Sequence, residues 1–135
     1  MNRIMLIDDE VPLTRIMQMA IESAGKYLVT VVNDPNEARG VAVKVNTDLI
    51  FLDVIMPALN GIQVAEQLMR DKRTRDIPIV FLSATVAKVG NTPLVDVGDG
   101  TFMELDNELL RDLPMLERPI SDETMFSAIA AHMRG

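Results

Sequence analysis

Leu49-Ile50-Phe51-Leu52 is a run of four apolar residues with no polar residue between them, and it ends in Asp53. A strand with one wet face alternates apolar and polar residues, whereas a strand covered on both faces does not. The run therefore predicts a buried strand of a parallel sheet. Ile4-Met5-Leu6-Ile7 repeats the pattern and ends in Asp8-Asp9-Glu10. Acids at the ends of such strands fall at the carboxyl-terminal rim of the sheet, where open α/β sheets bind their ligands.

Outward from these runs, strand and helix alternate. Pro12 suits an early helical position, and Leu13, Ile16, Met17, Ala20, Ile21 and Ala24 recur at helical spacing up to Gly25. Tyr27 to Val32 is β-rich, Asn33-Asp34-Pro35 turns the chain, and Ala38, Val41, Ala42 and Val45 mark a second helix. Asp48 to Leu52 is the third strand. Gly61 opens a helix carrying Ile62, Ala65, Leu68 and Met69, and Ile77 to Leu82 is a fourth buried strand. Met115 to Glu117 makes a fifth. Ser121 caps a last helix, with Asp122 and Glu123 in its first turn and Met125, Phe126, Ile129, Ala130 and Met133 facing inward. Between strands four and five the segment is enlarged. Asn91-Thr92-Pro93 and Gly98-Asp99-Gly100 are turn signals there, and Leu105, Leu109, Leu110 and Leu113 suggest a helix.

The expected fold is α/β: a doubly wound five-stranded parallel sheet in the flavodoxin-like order 2-1-3-4-5. That order makes strands one and three neighbours, so Asp8, Asp9 and Asp53 converge in one crevice.

Composition sets the remaining bounds. A chain of 135 residues reads as one domain, 1–135, with no output domain after its final helix. It has no cysteine, which removes thiol redox chemistry and thiolate zinc sites. No secretory core or membrane span is legible, so a soluble cytoplasmic location is expected. The formal charge of −7 disfavours direct contact with nucleic acid or an anionic membrane. Against that trend, Arg70, Lys72, Arg73 and Arg75 cluster, which reads as the solvated C-terminus of a helix. Met17, Met69 and Met125 read as core filling rather than ligands. His132, the single histidine, lies beyond any strand end and reads as a surface or packing residue.

Three crowded carboxylates repel one another unless a cation compensates. Magnesium is the natural ion, because it takes hard oxygen ligands, uses one or two protein carboxylates and keeps several waters. Asp9 and Asp53 are the expected direct ligands, with Asp8 acting through water. An aspartate in such a site can also attack phosphorus and form an acyl phosphate. Ser83, ending Ile79-Val80-Phe81-Leu82, can donate a hydroxyl hydrogen bond to a phosphoryl oxygen. Arg118, after Met115-Leu116-Glu117, can supply a cation.

In these residues the chain resembles the receiver domains of two-component response regulators, of the single-domain, chemotaxis-regulator-like kind. Asp8-Asp9 match the acidic pair after the first strand and Asp53 the phosphoacceptor. Pro57 and Gly61 stand four and eight residues after Asp53, and Ser83-Ala84 match the Ser/Thr-Ala pair. The resemblance implies magnesium held by Asp8, Asp9, Asp53 and the backbone carbonyl of Ile55. It also implies phosphorylation of Asp53 by the phosphohistidine of a sensor histidine kinase or a histidine phosphotransfer protein. The chain would assist its own phosphorylation and dephosphorylation, without being an enzyme in the ordinary sense, and would switch a downstream protein partner. Pro119 matches a family proline preceded by a cis peptide bond.

Two positions depart from the family pattern. Arg118 stands where a lysine is usual, and Met115 where an aromatic switch residue is usual. The stretch from Ser83 to Arg118 is also longer than in a typical receiver, and residues 86–113 are the expected seat of partner specificity. The departures motivate an alternative, a pseudo-receiver that docks partners without phosphorylation. A haloacid-dehalogenase-type phosphatase needs a second acid two residues after the nucleophile, and that residue is Ile55. A flavin mononucleotide site is opposed by Asp8-Asp9-Glu10, which repels a phosphate. An isolated acid pair before Pro12 would otherwise read as a helix cap.

Overall fold

The computed structural model describes residues 2–56, 59–83, 86–89, 92–96, 102–104, 110 and 112–134, with 83–104 described as backbone apart from Leu94. β1 (Asn2–Ile7), β2 (Tyr27–Val32), β3 (Leu49–Asp53) and β4 (Ile79–Ser83) lie where the apolar runs place them. With β5 (Val86–Val89), β6 (Thr92–Asp96) and β7 (Phe102–Glu104) intervening, the last strand is β8 (Met115–Glu117). The main sheet is parallel throughout, in the order β2-β1-β3-β4-β8. This is the expected 2-1-3-4-5, with β8 as the fifth strand.

Unbroken apolar runs arise because both faces are covered. Met5, Ile7, Ile50, Leu52, Ile79 and Phe81 point to one core, completed by α2 (Ala38–Lys44) and α3 (Gly61–Arg70). Ile4, Leu6, Leu49, Phe51, Val80 and Leu82 point to the other, under α1 (Val11–Glu22) and α4 (Asp122–His132). Met125 is buried in the second core; Met17 is partly buried against it, as Met69 is against the first.

The helix faces differ in detail from the sequence expectation. Ile16 is 64% exposed, while Thr14 turns inward with its hydroxyl donating to the Val11 carbonyl at 2.9 Å. The apolar stripe on α1 is wide enough that periodicity alone does not fix which edge is wet, and the satisfied hydroxyl lets a threonine be buried. On α4, Ala128 is buried and Ala130 exposed. Ser121 caps that helix as expected, accepting from the Thr124 N–H at 3.1 Å. His132 is exposed.

The enlarged segment holds β5, β6 and β7 as a separate antiparallel sheet. Sequence reading misses these strands because Pro93 signals a turn. In the structure Pro93 pairs with Lys88 on β5, and among the described residues the β7 pairing begins at Leu94. Of the suggested helix, residues 105–109 lie outside the described residues. Leu110 is buried and Leu113 partly buried, joined by a turn in which the Leu113 N–H donates to the Leu110 carbonyl at 3.0 Å. Asn91 and Gly98-Asp99-Gly100 also lie outside the described residues.

Candidate functional site

β1 and β3 are hydrogen-bonded neighbours, with Ile7 paired to Leu52, so the residues that follow them meet at the rim. One carboxylate oxygen from each of Asp8, Asp9 and Asp53 lies within 4.8 Å of the others. Asp8 is 1% and Asp53 7% exposed, while Asp9 is half-buried. From the end of β8, Arg118 reaches the same point. Its Nη2 lies 2.5 Å from Asp8 Oδ2 and 3.5 Å from Asp53 Oδ1. Arg118 Nε is buried with no hydrogen-bond partner among the described residues. A cavity of about 130 Å³ beside these groups is lined by Glu10, Asp53, Ile55 and Arg118.

Local backbone fixes Asp8 and Asp53. The Glu10 N–H donates to Asp8 Oδ1 at 3.0 Å, and the Ile55 N–H donates to Asp53 Oδ1 at 3.3 Å. The Asp pair is therefore not a helix cap. Glu10 occupies the N-cap of α1 and makes no side-chain capping bond. Gly61 explains part of the spacing after Asp53. Its N–H donates to the Val54 carbonyl at 2.9 Å, and a Cβ there would collide with the Asp53 carbonyl oxygen and come 2.8 Å from Val54 Cα. Only glycine allows α3 to start against that backbone. Asn60 and Gln63 then close a reciprocal capping box.

The arrangement has a clear electrostatic consequence. Burial, and then repulsion from Asp8, push the Asp53 carboxyl up to about 7, against the lowering influence of Arg118 and of the Ile55 N–H. Three carboxylates facing one guanidinium hold more negative charge than the site compensates. The donors are all hard oxygens, and they fit a divalent cation such as magnesium.

Ser83 ends β4, one residue beyond Leu82, which pairs with Asp53; its own strand partner is Glu117. The Ser83 side chain, Pro57 and Ala84 lie outside the described residues. The peptide bond between Arg118 and Pro119 is cis. Met115 pairs with Phe81 and is partly buried against the α2/α3 core.

Two residues, Asn33 and Thr14, escape the sequence reading. Asn33, just after β2, donates from Nδ2 to the Asp8 carbonyl at 2.7 Å and to Thr14 Oγ1 at 3.2 Å. It ties β2, the acidic turn and the first turn of α1 together. The available signal was a polar Thr14 within an apolar helical stripe.

Fold and rim together define a flavodoxin-like α/β domain whose switch-point crevice gathers three carboxylates and a guanidinium. The family profile of the response regulator receiver domain matches residues 4–102, and the chain belongs to that family. It is 40% identical over 100 residues to the phosphate regulon transcriptional regulatory protein PhoB of Pseudomonas aeruginosa, covering 74% of this chain and 43% of that protein. The chain spans 34–43% of the length of the curated relatives it matches at 38–40% identity. Among solved structures, the chemotaxis protein CheY4 of Vibrio cholerae superposes with a TM-score of 0.78 at 19% identity, covering 97% of this chain and 98% of that one. The receiver domain of sensor histidine kinase PA1611 from Pseudomonas aeruginosa, with a magnesium ion coordinated in its active site cleft, superposes with a TM-score of 0.74 at 22% identity, covering 96% and 95%. Among the described residues, no helix is long and apolar enough to cross a membrane.

Proposed function

We propose that Asp53 is the phosphoacceptor of a two-component relay and that the chain passes the signal to a protein partner. The observation that carries this reading is the meeting of Asp8, Asp9 and Asp53 within 4.8 Å at a rim that Arg118 also reaches. A carboxylate oxygen of Asp53 attacks the phosphorus of a donor phosphohistidine, from a sensor kinase or a phosphotransfer protein. The new P–O bond forms as the P–N bond breaks, and the imidazole leaves and takes up a proton. Such a transfer needs positioning and charge neutralisation more than acid–base chemistry. The Ile55 N–H and the short link to Gly61 hold Asp53 in place, Arg118 offers donors to phosphoryl oxygens, and Ser83 is the hydroxyl donor from β4. Asp8, Asp9, Asp53 and the Ile55 carbonyl would hold magnesium, which when bound neutralises charge on the transferring group. Hydrolysis of the acyl phosphate by water resets the site.

The acidic charge of −7 supports a protein rather than a nucleic acid as the direct partner of residues 1–135. Residues 86–113, an addition to the parallel fold, are the proposed specificity segment; a deletion there that left partner binding intact would sink this assignment. A second reading, a docking module that works without phosphorylation, is favoured by one observation: Arg118 already lies between Asp8 and Asp53, the charges a phosphorylation site must manage.

Incubation with magnesium and acetyl phosphate, read by intact mass, separates the two. Gain of one phosphoryl group, absent in Asp53→Asn and under chelation, is the expected result. No gain, with partner binding retained, establishes the docking module.

A further inference from the structure

We propose that Arg118 is a built-in competitor of the divalent cation: its guanidinium and the metal contend for Asp8, and cation entry requires Arg118 to withdraw. This rests on reading the acid triad as a cation site, and it concerns how that site is regulated.

The two oxygens of Asp8 are differently engaged. Oδ1 accepts from the Glu10 N–H at 3.0 Å, while Oδ2 faces Arg118 Nη2 at 2.5 Å. A cation approaching Asp8, directly or through one water, therefore meets Oδ2 and the guanidinium together. The same Nη2 stands 3.5 Å from Asp53 Oδ1, so Arg118 neutralises part of two of the three carboxylates. Asp8 is 2% and Arg118 21% exposed at the side chain, which leaves little water to screen two cations from each other.

Arg118 is held by charge and not by a completed hydrogen-bond geometry. An arginine well matched to its site uses its planar fork on a carboxylate through two parallel bonds. Here one nitrogen serves both acids, and Nε is buried with no acceptor among the described residues. A buried donor without an acceptor is costly, so the observed position is favourable only while the acids lack another cation. Once a divalent ion supplies that charge, the guanidinium is repelled and Nε is free to turn with Nη2 toward an anionic group on Asp53. A lysine here would reach the acids as a compact, hydrated point charge on a flexible stem, with no planar fork to leave unsatisfied. The charge competition would be shared by a lysine; the unsatisfied fork belongs to the arginine of this chain.

The test is a calorimetric titration of the intact chain with magnesium chloride at pH 7.5, comparing wild type with Arg118→Gln and Arg118→Lys, each first confirmed folded by circular dichroism. Removing the positive charge is expected to tighten magnesium binding by roughly tenfold or more, with Lys between the two. In parallel, the Arg118 Nε–H resonance in the wild-type nitrogen–proton spectrum is expected to move in step with magnesium occupancy. Equal or weaker binding by Arg118→Gln, an unmoved Nε–H resonance at saturation, or no binding by any of the proteins each overturns the proposal. Acetyl phosphate labelling is read separately. Tighter magnesium binding in Arg118→Gln without labelling of wild-type Asp53 would leave the competition standing and remove the phosphoacceptor reading.

Discussion

At the N-terminal end of α3, Gly61 lies against the backbone of Asp53, a carboxylate 7% exposed and pushed up to about 7 by burial and by Asp8. At the C-terminal end, Asp71 accepts from Arg73 Nε at 3.1 Å and from Nη2 at 2.9 Å, with Arg73 exposed, and its carboxyl is pulled down to about 2, mainly by those bonds and by the Arg73 N–H. Each aspartate has an arginine beside it, yet they shift in opposite directions. The partner's charge is therefore not what decides. Asp53 is desolvated and faces a second acid, while Asp71, with its own side chain only 12% exposed, gains well-aligned donors that outweigh its desolvation. One end of the helix stores electrostatic strain that a ligand can relieve, and the other is already at rest.

The comparison breaks most severely at Gly61. Gly61→Val places a side chain against the Asp53 and Val54 backbone, which cannot yield as a flexible side chain can. A loss of about 3 kcal/mol in urea unfolding is expected, with labelling of Asp53 lost alongside because its backbone must shift. Gly40 has open space where a Cβ would go, so Gly40→Ala is the control that leaves the fold intact.

Next in size is the charge of Asp53 itself. Its folded-state pKa of about 7 lies above that of an unfolded aspartate, so the folded chain holds a proton that the unfolded chain has already released. Without divalent cations, the Asp53 contribution therefore disfavours folding progressively as pH rises from about 4 to 7, and remains fully unfavourable above that. Asp53→Asn removes the charge and is expected to stabilise the metal-free protein by about 2 kcal/mol at pH 8, with the difference vanishing near pH 4. A variant no more stable than wild type at pH 8 would show that Arg118 already balances the site. Magnesium should narrow the gap by stabilising wild type more than the variant.

The contrast between motif and context also marks what the sequence reveals. β1, β3 and their terminal acids are legible because a strand buried on both faces leaves an unbroken apolar run, and parallel order then brings Asp8 to Asp53. Gly61 is legible as a helix opener, but its close approach to the Asp53 carbonyl appears only in three dimensions. Asn33 is hidden for a similar reason. It reads as a turn residue, and its bonds to the Asp8 carbonyl and Thr14 depend on where β2 ends relative to β1. β5, β6 and β7 are hidden differently, since a short strand containing Pro93 carries the signals of a turn. Arg118 lies between these extremes. Its position after the last strand marks it as a candidate cation, whereas the orphaned Nε appears only in three dimensions.

Asn60 gives a smaller and purely local effect. Its side chain accepts from the Gln63 N–H at 2.9 Å while Gln63 Oε1 accepts from the Asn60 N–H at 3.0 Å. Asn60→Ala removes one half of that exchange and is expected to cost about 1 kcal/mol, with labelling of Asp53 retained. Loss of labelling out of proportion to stability would mean that the cap positions the acceptor as well as the helix.

The smallest change belongs to the resting end of α3. Asp71 has a folded-state pKa below its unfolded value, so what it contributes is present above about pH 4 and fades only as pH falls toward 2, opposite in sense to Asp53. Its pair with exposed Arg73 is screened by water and salt, and side-chain ordering offsets much of the attraction. Arg73→Gln should therefore leave the thermal midpoint at pH 7 unchanged within error, and adding salt should not separate variant from wild type. A clear loss that salt abolishes would instead place Arg73 in a wider charge network with Arg39, whose guanidinium also acts on Asp71. In that case the low Asp71 carboxyl would reflect several cations rather than one pair, and the contrast with Asp53 would rest on the charges around each acid as much as on burial.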